Sequence, residues 1–201
     1  MKKSFGQVSI KLISAIVIAI LVALYVIGSY NSLVSQNQNV LSSWAQVQNQ
    51  YQRRMDLIPN LVNTVKGEAN FEKSTLTDVI NARAKATQVT LSPEIINDQA
   101  KMNQFQQAQK QLGSSLSRLM VSVEKYPDLK SNQQFAQLMD EVAGTENRIA
   151  VSRRDFNNVV QAYNTTLLGF PKNIIAGMFG YKTKAYFQAD QGAEKAPVVS
   201  F

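Results

Sequence analysis

The stretch LISAIVIAILVALYVIG, residues 12–28, carries no charged side chain and is close to the length at which a helix crosses the hydrocarbon core of a bilayer. Water is a poor solvent for such a segment, so whatever follows must fold while tied to one apolar helix. Lys2, Lys3 and Lys11 precede the run, and no Lys or Arg follows it until Arg53. The positive-inside rule then puts the N-terminus in the cytoplasm and the bulk of the chain on the extracytoplasmic side. A cleaved signal peptide is the competing reading, with Val26-Ile27-Gly28 a tolerable cleavage site, but the apolar core is longer than a typical signal h-region. The expected organisation is a basic segment at 1–11, a transmembrane anchor at 12–29, a helical domain at 30–170, and a C-terminal strap or tail at 171–201.

The residue types present narrow the chemistry. Among 201 residues there is no cysteine and no histidine. Thiol nucleophiles, disulfides, histidine general acid–base chemistry and the usual zinc sites are thereby excluded. No cofactor or metal is expected. The formal charge of +7 comes from scattered bases, with Trp44 and a few tyrosines the only stacking groups of note, so nucleic acid is not the expected partner.

Beyond Tyr30 the apolar residues recur at three-four spacing. Leu41, Trp44, Gln48, Tyr51, Met55, Ile58, Val62 and Val65 form a heptad seam, flanked by Leu33, Val40, Val47 and Leu61. The spacing predicts a helix over about 31–66, ended by Gly67. A second helix is expected over 68–89, with Leu76, Val79 and Ile80 on its apolar side. Ser92-Pro93-Glu94 reads as a restart, with a capping side chain and proline at the first helical position. Ile95, Met102, Phe105, Gln109, Leu112, Leu116, Leu119, Val123 and Tyr126 follow it at helical spacing. Tyr126-Pro127-Asp128 breaks that helix. The fourth carries Phe135, Leu138, Val142, Thr145, Ile149, Ser152, Phe156, Val159, Tyr163 and Thr166, and stops at Gly169 before Phe170-Pro171. Short connections between four helices favour antiparallel neighbours. The fold class expected is therefore all-α, an N-terminal transmembrane helix followed by an antiparallel up-and-down four-helix bundle.

Four charges fall on faces that otherwise read as core. Arg54 interrupts the row Leu33, Val40, Val47, Leu61; Glu146 and Arg153 interrupt Met139, Val160, Leu167; and Arg83 extends the face of the second helix. Unpaired, each would carry a desolvation penalty of several kcal/mol, so they should meet one another or the seam residues Gln48, Gln109, Thr145 and Ser152. Glu146 accepting a bidentate contact from Arg54 is the expected pair. The arrangement reads as a structural polar layer, with an anion or ligand site as the alternative; a carboxylate held among arginines is a poor base. Arg53 and Asp56 fall outward. Pro59 must kink or break its helix, and the seam keeps phase across it, which favours a kink. Ser122-Val123-Glu124-Lys125 matches S-x-x-K, but the S-D-N and K-T-G elements that accompany it in penicillin-binding proteins are absent.

Taken together, YNSLVSQNQNVLSSWAQVQNQYQRRMDLIPNLVNTVKG from Tyr30, NARAKA from Asn81, YPDLKSNQQFAQLMDEVAGTENRIAVSRRDFNNVVQAYN from Tyr126 and the closing APVVSF resemble the LemA family of bacterial membrane proteins. The resemblance covers nearly everything after the anchor; Phe156 stands where many relatives would have tyrosine. It implies an anchored antiparallel four-helix bundle and no established activity. It also implies association with membrane biogenesis in some members, and gene neighbourhood with a membrane metalloprotease of the HtpX type. The motif positions that carry over are Arg54, Asp56, Pro59, Arg83, Glu146, Asn147, Arg148, Arg153, Asn157 and Asn164, as fold or partner surfaces rather than an active site.

The function expected is thus a non-enzymatic, membrane-anchored bundle in the bacterial cytoplasmic membrane, binding a partner protein or organising the envelope. Self-association is possible through its outer faces. A sensor of small anionic ligands through the inward arginines is the alternative. Val199-Ser200-Phe201 also fits the kind of carboxyl terminus that PDZ domains take by strand addition, against a preferred reading in which Phe201 packs back on the bundle.

Overall fold

The computed structural model describes residues 10–68, 71–89 and 92–189. Lys2, Lys3 and the Val199-Ser200-Phe201 terminus lie outside the described residues. All regular structure among the described residues is helical, as the heptads require.

The first helix, α1, spans Ile10–Lys66 as one element of 57 residues. The apolar segment expected to be the anchor and the first bundle helix are therefore continuous, where the sequence suggested separate units meeting near residue 30. Gly28 is an isolated glycine between two strong helical patterns, and its cost of about 1 kcal/mol does not break the rod. Along the first half, large apolar side chains from Ile10 to Ile27 are exposed; from Leu33 onward the row Val40, Val47, Arg54 and Leu61 is buried.

The remaining elements are α2 (Lys73–Gln88), a 3-10 turn (Pro93–Asn97), α3 (Gln99–Val123), a short α4 (Pro127–Ser131), α5 (Gln133–Leu168) and α6 (Lys172–Met178). α1 packs most extensively along α5, and α2 along α3, giving two antiparallel pairs that share a core. Two local expectations differ. The Ser92 hydroxyl bonds to Glu94 rather than to the helix, and α3 begins instead at Asp98, whose carboxylate accepts from the backbone N–H of Ala100 and Lys101. In α2 the buried face is Leu76, Val79, Ala82 and Ala86, and Ile80 is exposed. Two small alanines complete that face in place of Ile80, which apolar bulk alone does not reveal.

α1 passes through Pro59 without a break. Proline has no N–H, so the Met55 carbonyl one turn earlier loses its normal partner. The Arg83 side chain of α2 supplies one, its Nε–H donating to the Met55 oxygen at 3.2 Å. A half-buried arginine thus offsets the defect that the proline introduces, and ties α2 to α1. The substitution Arg83→Met should cost about 1–3 kcal/mol, the penalty of an unsatisfied buried carbonyl. In a Pro59→Ala background, where the N–H at position 59 is restored, the cost should shrink. Urea denaturation of the four proteins of this cycle measures it; an equal cost in both backgrounds contradicts the assignment.

Candidate binding groove

The Arg54 side chain is 2% exposed. Its Nη1 donates to Glu146 Oε2 of α5 and its Nη2 to Gln109 Oε1 of α3, both at 2.5 Å. Its guanidinium also lies 5.2 Å from the centre of the Tyr51 ring. The acid that meets Arg54 is the one expected, but the contact is a fork shared between two helices rather than a bidentate grip on one carboxylate. Glu146 itself is 61% exposed. It reaches inward from the surface, so it is not an inward-facing charge as its heptad row suggested. Among the described residues, Arg54 Nε and Gln109 Nε2 remain buried without a partner. The apolar core divides at this layer: one section holds Trp44, Tyr51, Phe105, Phe156 and Tyr163, the other Met55, Ile58, Leu112, Leu119 and Val142.

The other expected members of the layer lie elsewhere. Arg83 serves the Met55 carbonyl. Arg153 is half-buried, its guanidinium 4.8 Å from the centre of the Phe187 ring and its Nη2 donating to the Gln188 carbonyl at 3.3 Å. Thr145 and Ser152 turn their hydroxyls back to the carbonyls of Glu141 and Arg148. Asp56 is exposed and accepts from Gln52. Asn147 and Arg148 are exposed, Asn147 on the rim of the groove described below. Ser122 and Lys125 of the S-x-x-K match each turn to Glu72 and form no nucleophile–base pair.

A structural role for Asn157 and Asn164 comes from the segment after α6. Gly180, with φ of 73°, ends α6 in the left-handed conformation that glycine adopts without strain. The paired bonds Gly180 N–H to Gly177 O and Tyr181 N–H to Ala176 O complete the turn. The chain then runs extended between α3 and α5, clamped by side-chain amides that both donate and accept. Asn164 pairs with the main chain of Lys184, Gln99 with Tyr186, Asn157 with Phe187 and Gln106 with Gln188. The Ala185 N–H adds a bond to the Ile96 carbonyl. Phe187 enters the aromatic core beside Trp44, Phe105 and Phe156. The Tyr163 hydroxyl donates to the Lys182 carbonyl, and burial pushes its pKa up to about 12, so that donor persists at any physiological pH. Gln99 and Gln106 carry no mark in the sequence except their sevenfold spacing, which Asn157 and Asn164 share. The strap option for 171–201 thus describes the chain as far as Gln188.

Below the strap the same side of the bundle is open. A groove of about 590 Å³ runs between α3 and α5 with α1 as its floor. Tyr51 and Arg54 form the floor, Gln106, Lys110, Ser114 and Ser117 one wall, and Glu146, Asn147 and Arg153 the other. Burial raises the pKa of the Tyr51 phenol, with Arg153 and Arg54 opposing, so it stays a neutral donor. Among the described residues no cluster of His, Cys, Asp or Glu could hold a metal. What the groove presents is a set of hydrogen-bond donors and three cations around one carboxylate, chemistry suited to binding peptide carbonyls or an anionic group.

The model of the LemA family matches residues 43–201, which include the groove, the strap and the Arg54 layer. The chain belongs to the LemA family. Magnetosome protein MamQ 2 of Paramagnetospirillum magneticum is 25% identical over 187 residues, covering 85% of this chain and 68% of the relative. Magnetosome protein MamQ of Magnetospirillum gryphiswaldense is 24% identical over 216 residues, covering 98% and 79%. Protein LemA of Metamycoplasma hominis is 24% identical over 168 residues, covering 82% and 71%.

Two predictions for this LemA-family chain follow from the geometry. Glu146→Ala leaves the Arg54 charge buried without its counterion. It should cost about 2 kcal/mol, below the value for a fully buried pair because the groove admits water. Replacing both inner partners by apolar groups, Arg54→Met with Gln109→Leu, should cost less than that single surface change; denaturant titration compares them. In the strap, Asn157→Ala removes the acceptor of the Phe187 N–H. Both bonds of the Asn157 amide to the Phe187 main chain are lost, each worth about 1 kcal/mol, so hydrogen exchange at Phe187 should speed up by at least about tenfold, while Met102 in α3 keeps its protection.

Proposed function

We propose that this protein is a non-enzymatic, membrane-anchored bundle that holds a partner protein in the groove between α3 and α5. The observation that carries this reading is the strap. On one side of the bundle, α3 and α5 already grip an extended polypeptide by its main chain, and the open groove continues that side along the same two helices. The apolar first half of α1, exposed and uncharged from Leu12 to Gly28, supports anchoring, with the bundle on the extracytoplasmic side of the cytoplasmic membrane. An HtpX-type protease is a partner suggested by family association alone.

A second reading, a sensor of small anionic ligands, draws on Arg54 Nε and Gln109 Nε2, buried donors without a partner among the described residues, beside Arg153 and Lys110. Photo-crosslinking residues placed at Ser114 and Ser117 should trap a discrete protein in intact cells, and one at exposed Val151 outside the groove should not. No product from either groove position would retire the partner reading. Thermal shift against anionic metabolites separates the two, since ligand binding to the folded state raises Tm by mass action.

A further inference from the structure

Exposed apolar side chains on this chain are not scattered evenly. Apart from the first half of α1, five of them crowd one end of the bundle: Leu168, Phe170, Ile174, Met178 and Phe179. Phe170 is 84% exposed and Met178 74% exposed. They come from the end of α5, the turn that follows it and α6. α6 buries Ile175 and Ala176 against the bundle and leaves Ile174 and Met178 bare, so it is apolar on both sides. Leaving that much apolar surface in water is unfavourable, and a contiguous patch of this kind marks a contact with a protein or a membrane.

The position of the patch identifies which. The Tyr30 ring of α1 packs against Phe179, tilted by 53° with centroids 4.8 Å apart, and meets Tyr181 edge-on at 6.3 Å. Lys172 Nζ reaches Ser32 Oγ of α1 at 3.4 Å. α6 therefore sits level with residues 30–32, the turn of α1 directly after the apolar run that ends at Gly28. At ~1.5 Å of rise per residue, Phe179 lies within a few ångströms, along the helix axis, of the end of the span. Its surroundings hold the residues that favour the zone between acyl chains and headgroups: Tyr25, Tyr30 and Phe170 among the aromatics, Lys172 and Lys182 among the cations.

We infer that this end of the bundle is a second membrane-contact site. Phe170, Ile174, Met178 and Phe179 enter the interfacial layer of the bilayer that α1 crosses, and Lys172 and Lys182 face the lipid phosphates. The inference rests on the anchoring reading, and the lipid is its occupant because the patch is continuous with the apolar surface of the span. The bundle then lies seated on the membrane and does not stand off on a stalk, and the α3–α5 groove takes a fixed inclination to the bilayer.

The test uses the full chain in vesicles of phosphatidylcholine and phosphatidylglycerol with brominated acyl chains, which quench tryptophan on contact. The native Trp44 is 1% exposed in the bundle core and gives a constant background. Phe170→Trp and Met178→Trp report the patch, Ile20→Trp the span, and Val121→Trp the distal end of α3. Emission from both patch variants should shift to the blue and lose at least half of what Ile20→Trp loses, while Val121→Trp is unchanged. Patch variants that behave like Val121→Trp while Ile20→Trp is quenched overturn the contact site and leave the anchor standing. An unquenched Ile20→Trp means the anchoring reading itself has failed, and the contact site with it. Patch protection that disappears as protein is diluted into excess lipid means that a second copy covers the patch, and also overturns the inference.

Discussion

The bundle is organised around one desolvated charge. Arg54 sits where the heptad calls for an aliphatic residue, and its guanidinium is fully inside. A charge in that position is tolerable only with hydrogen-bond acceptors supplied from outside its own helix. α3 provides Gln109 and α5 provides Glu146, so α1 is held in register with both neighbours at one level. An aliphatic layer could slide by a turn and still bury its area, whereas this layer satisfies its donors in one alignment. The division of the apolar core into two sections at Arg54 follows from it.

The same layer explains why the bundle has an open side. Glu146 must stay near solvent to reach in, and the α3–α5 side is left unclosed around it. The protein fills the upper part of that opening with its own chain, using amides to match main-chain groups two at a time. Such recognition depends little on the side chains of the extended segment, Phe187 and Ala185 excepted, and would accept other sequences of the same shape.

How much of this is written in the sequence depends on the kind of contact. The seam of α1 and the core faces of α3 and α5 are legible because heptad spacing and burial express the same period. Arg54 stands out for the same reason, as a charge in a row of aliphatics, and Glu146 was identifiable as the acid in reach on the facing helix. Glu146's exposure was not legible, because a row of seven-spaced positions gives a face but not how far a neighbour closes over it. Arg83 shows a different limit: its acceptor is a carbonyl released by Pro59, a partner that no residue type announces. A strap was one of the two readings of residues 171–201, but the side chains that grip it were hidden for a related reason. Asn157, Asn164, Gln99 and Gln106 bond to backbone, so nothing in residues 181–188 encodes the match except the absence of a competing helix.

The unbroken α1 has a mechanical consequence. At 57 residues it is a rod of about 85 Å, and its angular phase is shared between the apolar half and the half that carries Arg54. Each residue advances the helix by about 100°, at 3.6 per turn, so one residue added between Gly28 and Leu33 would rotate the whole bundle by that angle relative to the span. Phe170 and Phe179 would swing round the axis with it. The number of residues in that short, unremarkable stretch is thus a gear setting, fixing which way the groove faces relative to the apolar half of α1.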